Sequence, residues 1–190
     1  MRHHDRRAYH SGMRVVAGSL RGRIIVAPEG RDTRPTTDRV REAMFNALTS
    51  SDAIEGAYVL DLFSGSGALG IESLSRGAAH CTFVEKDRAA LAAIRKNIET
   101  LGIGDRATVV AGDALSRLGN LDRVDLVVAD PPYGFANWTG LLASLEPVVV
   151  DDGLVVAESG SALGRHPGWE TVREKRYGRT WVTFLRRTPD

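Results

Sequence analysis

The sequence predicts an α/β fold, a mostly parallel sheet with helices on both faces. Three observations carry that expectation. From residue 57 onward, short apolar runs alternate with segments of helical period, which is how repeated strand–helix units read. The first run ends in Asp61 and passes into Ser64-Gly65-Ser66-Gly67-Ala68-Leu69-Gly70, a strand, a tight turn and a helix start. Glycines there let the chain turn sharply and leave the main chain open to a ligand, with the free N–H groups of the next helix facing the same spot. Later runs also end in acids, at Glu85 and Asp130, placing polar groups where open α/β sheets bind ligands.

The elements follow in order. Residues 1–12 mix His, Arg, Ser and Gly with no apolar period and read as a disordered leader. His3, His4 and His10 have no second ligand set, so no metal site is expected. Residues 13–27 read as a β-hairpin with arms at 15–17 and 23–26 and a turn around Gly18 to Gly22. Thr36, Thr37 and Asp38 are candidate caps for a helix whose Val40, Met44, Ala47 and Leu48 form one apolar stripe. After a linker at 50–56 come a strand at 58–63, a helix at 68–76 closed by Gly77, and a strand at 81–85. Next are a helix at 87–101 ended by Gly102, a strand at 107–111, and a short helix after Asp113. A strand at 124–129, a helix at 138–145 and a strand at 154–158 complete the alternation. Residues 171–177 and 180–185, around Gly178, form a hairpin that closes the sheet edge. The expected organisation is thus a leader at 1–12, a hairpin-and-helix extension at 13–50, and the main α/β domain at 51–190.

With 190 residues and 43% hydrophobic content, one domain with a sizeable core is expected. The lone cysteine, Cys81, allows no internal disulfide and reads as a small core residue in a reducing cytoplasm. No apolar run approaches the ~18 residues of a membrane span. The net charge of +1 hides an asymmetry, because residues 1–48 hold ten arginines against five acids. A basic arm on an acidic body suits a polyanion, although arginine-rich termini also serve solubility. Arg14, Arg21, Arg23, Arg34, Arg39 and Arg41 are the candidate phosphate contacts.

Gly65, Gly67 and Gly70 match the literal dinucleotide pattern, but Asp61 redirects it. A pyrophosphate beside that carboxylate would be repelled. S-adenosylmethionine has no phosphate and carries an ammonium and a sulfonium, so an acid at the strand end favours it over NAD. Glu85 lies 24 residues beyond Asp61, close to the spacing of an acid that accepts from ribose hydroxyls, with Asp87 in reserve. Asp113 can accept from an adenine amine, with the Ala114 N–H beside it, or cap the next helix. Asp130-Pro131-Pro132-Tyr133 is the most specific stretch. Two prolines fix φ and remove two donors, leaving a stiff corner of acceptors suited to an exocyclic amine. Tyr133 adds an aromatic face on which a base can stack.

DLFSGSGALG with DPPY resembles the Rossmann-like, class I S-adenosylmethionine-dependent methyltransferases that modify base amines. RVVAGSLRGRIIVAPEGRDTRPTTDRVREAMFNAL, then DLFSGSGALGIESLSRGA, FVEKDR and DPPY resemble the RsmD family over roughly residues 13–187. That resemblance implies methylation of the exocyclic N2 amine of one guanine in small-subunit (16S) ribosomal RNA. It implies a seven-stranded sheet whose last strand is antiparallel. By position it puts Asp61, Ser64, Gly65 and Gly67 around the methionine part of the cofactor, Glu85 at the ribose with Lys86 nearby, and Asp113 and Ala114 at the adenine. Asp130, Pro131 and Tyr133 would hold the target base. The assembled or assembling 30S subunit is the expected partner, and a monomer the default state. An adenine-N6 methyltransferase acting on DNA or RNA, an NAD-linked oxidoreductase and a non-catalytic RNA-binding module are the other readings.

Overall fold

The computed structural model describes residues 13–28 and 37–189; the leader at 1–12 and Arg34 lie outside the described residues. The N-terminal hairpin pairs β1 (Met13–Arg14) antiparallel with β2 (Ile24–Ile25). Helix α1 (Thr37–Ser50) follows. The main unit then runs β3 (Tyr58–Leu62), α2 (Ala68–Ser75), β4 (His80–Glu85), α3 (Arg88–Leu101), β5 (Ala107–Ala111) and α4 (Ala114–Arg117). It continues through β6 (Val124–Ala129), α5 (Trp138–Leu145), β7 (Val149–Ser159), β8 (Trp169–Tyr177) and β9 (Thr180–Arg187).

Seven strands form one sheet in the order β5-β4-β3-β6-β7-β9-β8. All neighbours pair parallel except β9, which is antiparallel to both β7 and β8. The expected seven-stranded, mostly parallel sheet with an antiparallel last strand is therefore present. The chain moves outward from β3 to β5 and then returns to β6 on the other side of β3. That reversal opens a crevice at the carboxyl ends of β3 and β6, the place where open α/β sheets hold ligands.

Side-chain alternation divides the core between the two faces. Val59, Phe83, Leu126, Val128 and Phe184 point to the face covered by α1, α2, α3 and the hairpin. Leu60, Leu62, Val84, Val127 and Ala129 point to the face covered by α4 and α5. Helix α3 shows why it docks: Ala90, Leu91, Ile94, Asn97 and Leu101 are buried along one stripe, Asp87 caps its start through Ala90 N, and Gly102 ends it in the left-handed region at φ 68°. Gly70 meets a different demand. A Cβ there would lie 2.3 Å from Phe83 Cε1 and 2.6 Å from Cys81 Sγ, so the third glycine lets α2 press against β4.

Two boundaries differ from the sequence reading. The first hairpin arm lies at Met13–Arg14 and not at 15–17, because Val16 N and Ala17 N donate to the Glu72 carboxylate at 2.8 and 3.1 Å. Those N–H groups cannot serve a cross-strand ladder. Strand β7 begins five residues before 154. Its Asp-Asp-Gly segment looks like a turn, but Asp152 at φ 62° accommodates an irregular register opposite Val124–Leu126, and the strand passes through it.

Buried polar side chains fix the hairpin to the sheet unit. Glu72, fully buried, also accepts from Arg76 Nε at 2.8 Å. Ser75 Oγ accepts from Leu20 N and donates to Ala17 O. Asn97 accepts from Val26 N and donates to Val26 O and Ser66 O, joining the hairpin exit to the glycine turn.

Candidate active site

A cleft of about 1370 Å³ opens at the carboxyl ends of the strands. The glycine turn floors one end, with Asp61, Phe63, Ser64 and Gly65. Glu85, Lys86, Asp113 and Ala114 line the side, and Asp130 to Phe135 form the opposite wall. All the cofactor and base residues expected from the sequence border this one cleft except Gly67, which lies behind it. Gly67 is the left-handed start of α2 at φ 80°, and a Cβ there would touch Phe83, Ile71 and Ile94 at 3.3–3.5 Å.

Asp61 is 1% exposed. Its Oδ2 accepts from Gly70 N at 2.9 Å, and its Oδ1 is buried with no hydrogen-bond partner among the described residues. Burial raises its pKa from 3.8 to about 8; the Gly70 N–H opposes that rise, and the nearby Asp130 and Glu85 charges add to it. A buried carboxyl oxygen beside a large cleft without a donor calls for a partner from within the cleft. Residue Phe63 holds φ 58°, an uncommon conformation for a bulky residue that costs of order 1–3 kcal/mol. It turns the chain from β3 into the glycine loop and sets its ring 5.4 Å from Phe135, which stands edge-on to Trp138 at 5.1 Å.

The loop is held by its neighbours. Ser64 Oγ faces the backbone oxygens of Asp61 and Val84 at 2.7 and 3.1 Å, so that hydroxyl stiffens the turn. Glu85 accepts from Gly65 N through Oε2 and from Lys86 N and Asp87 N through Oε1, each at 2.8 Å. It ties the end of β4 to the loop and keeps one Oε2 lone pair for a hydroxyl donor. Asp113 caps α4 through Leu115 N and lies 3.4 Å from Lys86 Nζ.

The opposite wall is exposed. Tyr133 is 78% exposed, and the corner is closed by Phe135 N donating to Pro132 O at 3.0 Å. The candidate arginines separate. Arg14, Arg21, Arg23 and Arg39 are exposed; Arg14 donates to Gly22 O and Arg23 to Thr100 O. Arg41 is only 3% exposed and is engaged with Arg14 O and Asp38, 3.8 Å from Glu72. It fastens α1 to the hairpin at the inner edge of the cleft.

Sequence reasoning missed several lining residues. Glu158 lies near the end of β7 and carries the same strand-end acid signal as Asp61 and Asp130. The turn at 177–180 also lines the cleft; β8 runs parallel to the central strands, so topology places its end there. The apolar strand pattern carries through Phe63, whose positive φ leaves no trace in sequence. Among the described residues no group of three or more His, Cys, Asp or Glu could hold a metal ion, and no helix is long and apolar enough to cross a membrane.

A protein-family model described as "Conserved hypothetical protein 95" matches residues 13–186. "Ribosomal RNA small subunit methyltransferase D" of Escherichia coli (strain K12) is 39% identical over 187 residues, covering 94% of this chain and 93% of that protein. The chain belongs to this family. "Putative rRNA methyltransferase YlbH" of Bacillus subtilis (strain 168) is 36% identical, over 92% of this chain and 99% of that one. A solved structure titled "Putative methyltransferase yhhF from Escherichia coli" superposes with a TM-score of 0.84 at 37% identity, covering 94% of this chain and 99% of the other. The RsmD-family resemblance and the class I methyltransferase fold are borne out, and by family the chain is a methyltransferase enzyme.

Proposed function

We propose that this chain transfers a methyl group from S-adenosylmethionine to the exocyclic N2 amine of a guanine in 16S ribosomal RNA, within the assembled or assembling 30S subunit. The observation that carries the reading is the cleft itself. A buried oxygen of Asp61 with no partner among the described residues and the Asp130 carboxylate, beside two prolines that carry no N–H, line the same space. The small-subunit ribosomal RNA methyltransferase name of the Escherichia coli relative supports the substrate class, and the Asp130 carboxylate beside two prolines without N–H groups supports an amine.

The residues fit the cofactor. Asp61 Oδ1 suits an ammonium, Glu85 Oε2 a ribose hydroxyl, and Asp113 with the Ala114 N–H an adenine edge. S-adenosylmethionine supplies, when bound, a methyl group on a cationic sulfur. On the other side Tyr133 stacks on the unstacked base. Asp130 and the Pro131 carbonyl accept the two amine hydrogens, which turns the nitrogen lone pair toward the glycine-loop end of the cleft. As the nitrogen becomes positive, Asp130 stabilises it and takes up the released proton. The proline pair holds this geometry without burial. Residues 13–50 form the arm that brings RNA to the cleft, and 51–190 the catalytic unit, working as a monomer in the cytoplasm.

The test incubates the protein and labelled cofactor with 30S subunits, naked 16S RNA or duplex DNA, then identifies the modified nucleoside by mass spectrometry. N2-methylguanosine from subunits is expected. N6-methyladenosine, or label in DNA, would overturn the assignment.

A further inference from the structure

The N-terminal arm is not the only basic region. Residues 164–189 carry seven Lys or Arg against two Glu, whereas residues 49–163 carry eight basic and sixteen acidic residues. The body's net negative charge therefore masks a second basic segment, made of β8, β9 and their turn. Its residues Tyr177, Gly178, Arg179 and Thr180 line the cleft together with Asp130–Tyr133.

The charges on β8 are sorted by face. Arg173 and Lys175 pair with Phe184 and Val182 of β9, so they lie on the sheet face that also carries the hairpin and α1. Each rests on a ring: Arg173 Cζ is 5.8 Å from the Phe184 centroid, and Lys175 Nζ is 5.2 Å from that of Tyr177. Glu174 points to the other face, where it accepts from Thr183 Oγ1 and Leu163 N. Arg173, Lys175 and Arg179 are exposed and form no salt bridge with a carboxylate among the described residues. Tyr177 and Met13 pack on the same apolar cluster and both line the cleft, so the end of this row and the start of the hairpin border the same opening.

We infer that Arg173, Lys175 and Arg179 form a second phosphate-binding track for the substrate RNA, leading along β8 to the cleft mouth. The inference rests on the ribosomal RNA reading above. A nucleotide drawn into the cleft leaves its flanking backbone outside on both sides, and a cationic surface on one side alone would let the strand pivot. Side chains held against aromatic rings lose less freedom on binding than free lysines, and they keep their charge facing solvent.

The experiment compares wild-type protein, the triple variant Arg173→Ala/Lys175→Ala/Arg179→Ala, the single variant Arg179→Glu, and Arg186→Ala. Arg186 is the control: it lies on the same hairpin at the far end of β9, 4.0 Å from Glu170. RNA affinity is measured over a salt series on naked 16S RNA and on 30S subunits, with cofactor affinity in parallel. The triple variant is expected to bind RNA at least tenfold more weakly, with a log–log salt slope shallower by about 0.7 for each phosphate no longer neutralised. Cofactor affinity stays within about twofold, and Arg186→Ala matches wild type in RNA affinity, salt slope and turnover. Should the triple variant fold poorly, Arg179→Glu at the exposed turn carries the same expectation. Unchanged affinity and slope would overturn the inference alone. A loss on subunits without a loss on naked RNA would also overturn it, pointing to a protein contact. Wild-type protein that neither binds nor methylates RNA would instead bring down the proposed function.

Discussion

The two walls of the cleft are built by opposite means. At the glycine turn, Asp61, Ser64 and Glu85 are buried, and their oxygens engage the main chain around the loop. At the opposite corner Asp130 and Tyr133 are exposed, and the turn depends on two prolines, one backbone hydrogen bond and the Phe63–Phe135–Trp138 rings. A small cofactor that enters a preformed pocket is served by the first design. A macromolecule that must insert one base is served by the second, because stiffness supplied by proline needs no burial and leaves the acceptors reachable. The difference teaches that damage to the two walls should separate stability from chemistry.

The sharpest separation is Asp130→Ala. Methyl transfer should fall by roughly 10²–10³-fold or more, because the developing charge loses its counter-charge, while cofactor affinity and thermal midpoint stay near wild type. Single-turnover assays with calorimetric cofactor titration check this. Tyr133→Ala should leave stability within about 0.5 kcal/mol, as expected for an exposed side chain. It should weaken RNA binding by about 1–3 kcal/mol through lost stacking, read by filter binding. Gly70→Ala should do the reverse. Its Cβ would collide with Phe83 and Cys81, costing about 1–3 kcal/mol of stability, seen as a lower midpoint in denaturant with turnover at low temperature largely kept.

The remaining effect is a pH dependence. Folding raises the Asp61 pKa from 3.8 to about 8, so the fold prefers the neutral acid. That contribution to stability is complete below pH 3.8 and is lost as pH rises through 8. A cationic ligand prefers the carboxylate, so cofactor affinity should rise by up to about tenfold per pH unit below 8 and level off above it. Asp61→Asn should bind weakly with a flat profile and should be the more stable protein above about pH 8. Cofactor titrations on both proteins, run from about two pH units below that value to about one above it, test this.

The same contrast explains what could be read from the sequence. The sheet was legible because each strand and helix has a local period, and the acids at 61, 85, 113 and 130 mark the carboxyl ends of consecutive strands. The corner at 130–133 was legible in detail, since double proline restricts its own backbone. The inner wall was not. Ser64 turns its hydroxyl into the loop, Phe63 adopts a positive φ, and Arg41 is drawn inward by Asp38 and the Arg14 carbonyl. The hairpin arms shifted because Glu72, 56 residues away from Val16, takes two of their N–H groups. Long-range polar contacts of that kind have no local signature.

The most direct measurement is a crystal structure of the protein with S-adenosylhomocysteine and a guanine-containing oligonucleotide. The account predicts the ligand ammonium on Asp61 Oδ1, and the guanine amine on Asp130 at the distance of a charge-assisted hydrogen bond, about 2.7–2.9 Å. The ligand sulfur and that amine should face each other. A ligand ammonium turned away from Asp61, or a base held elsewhere than the 130–133 corner, would contradict it.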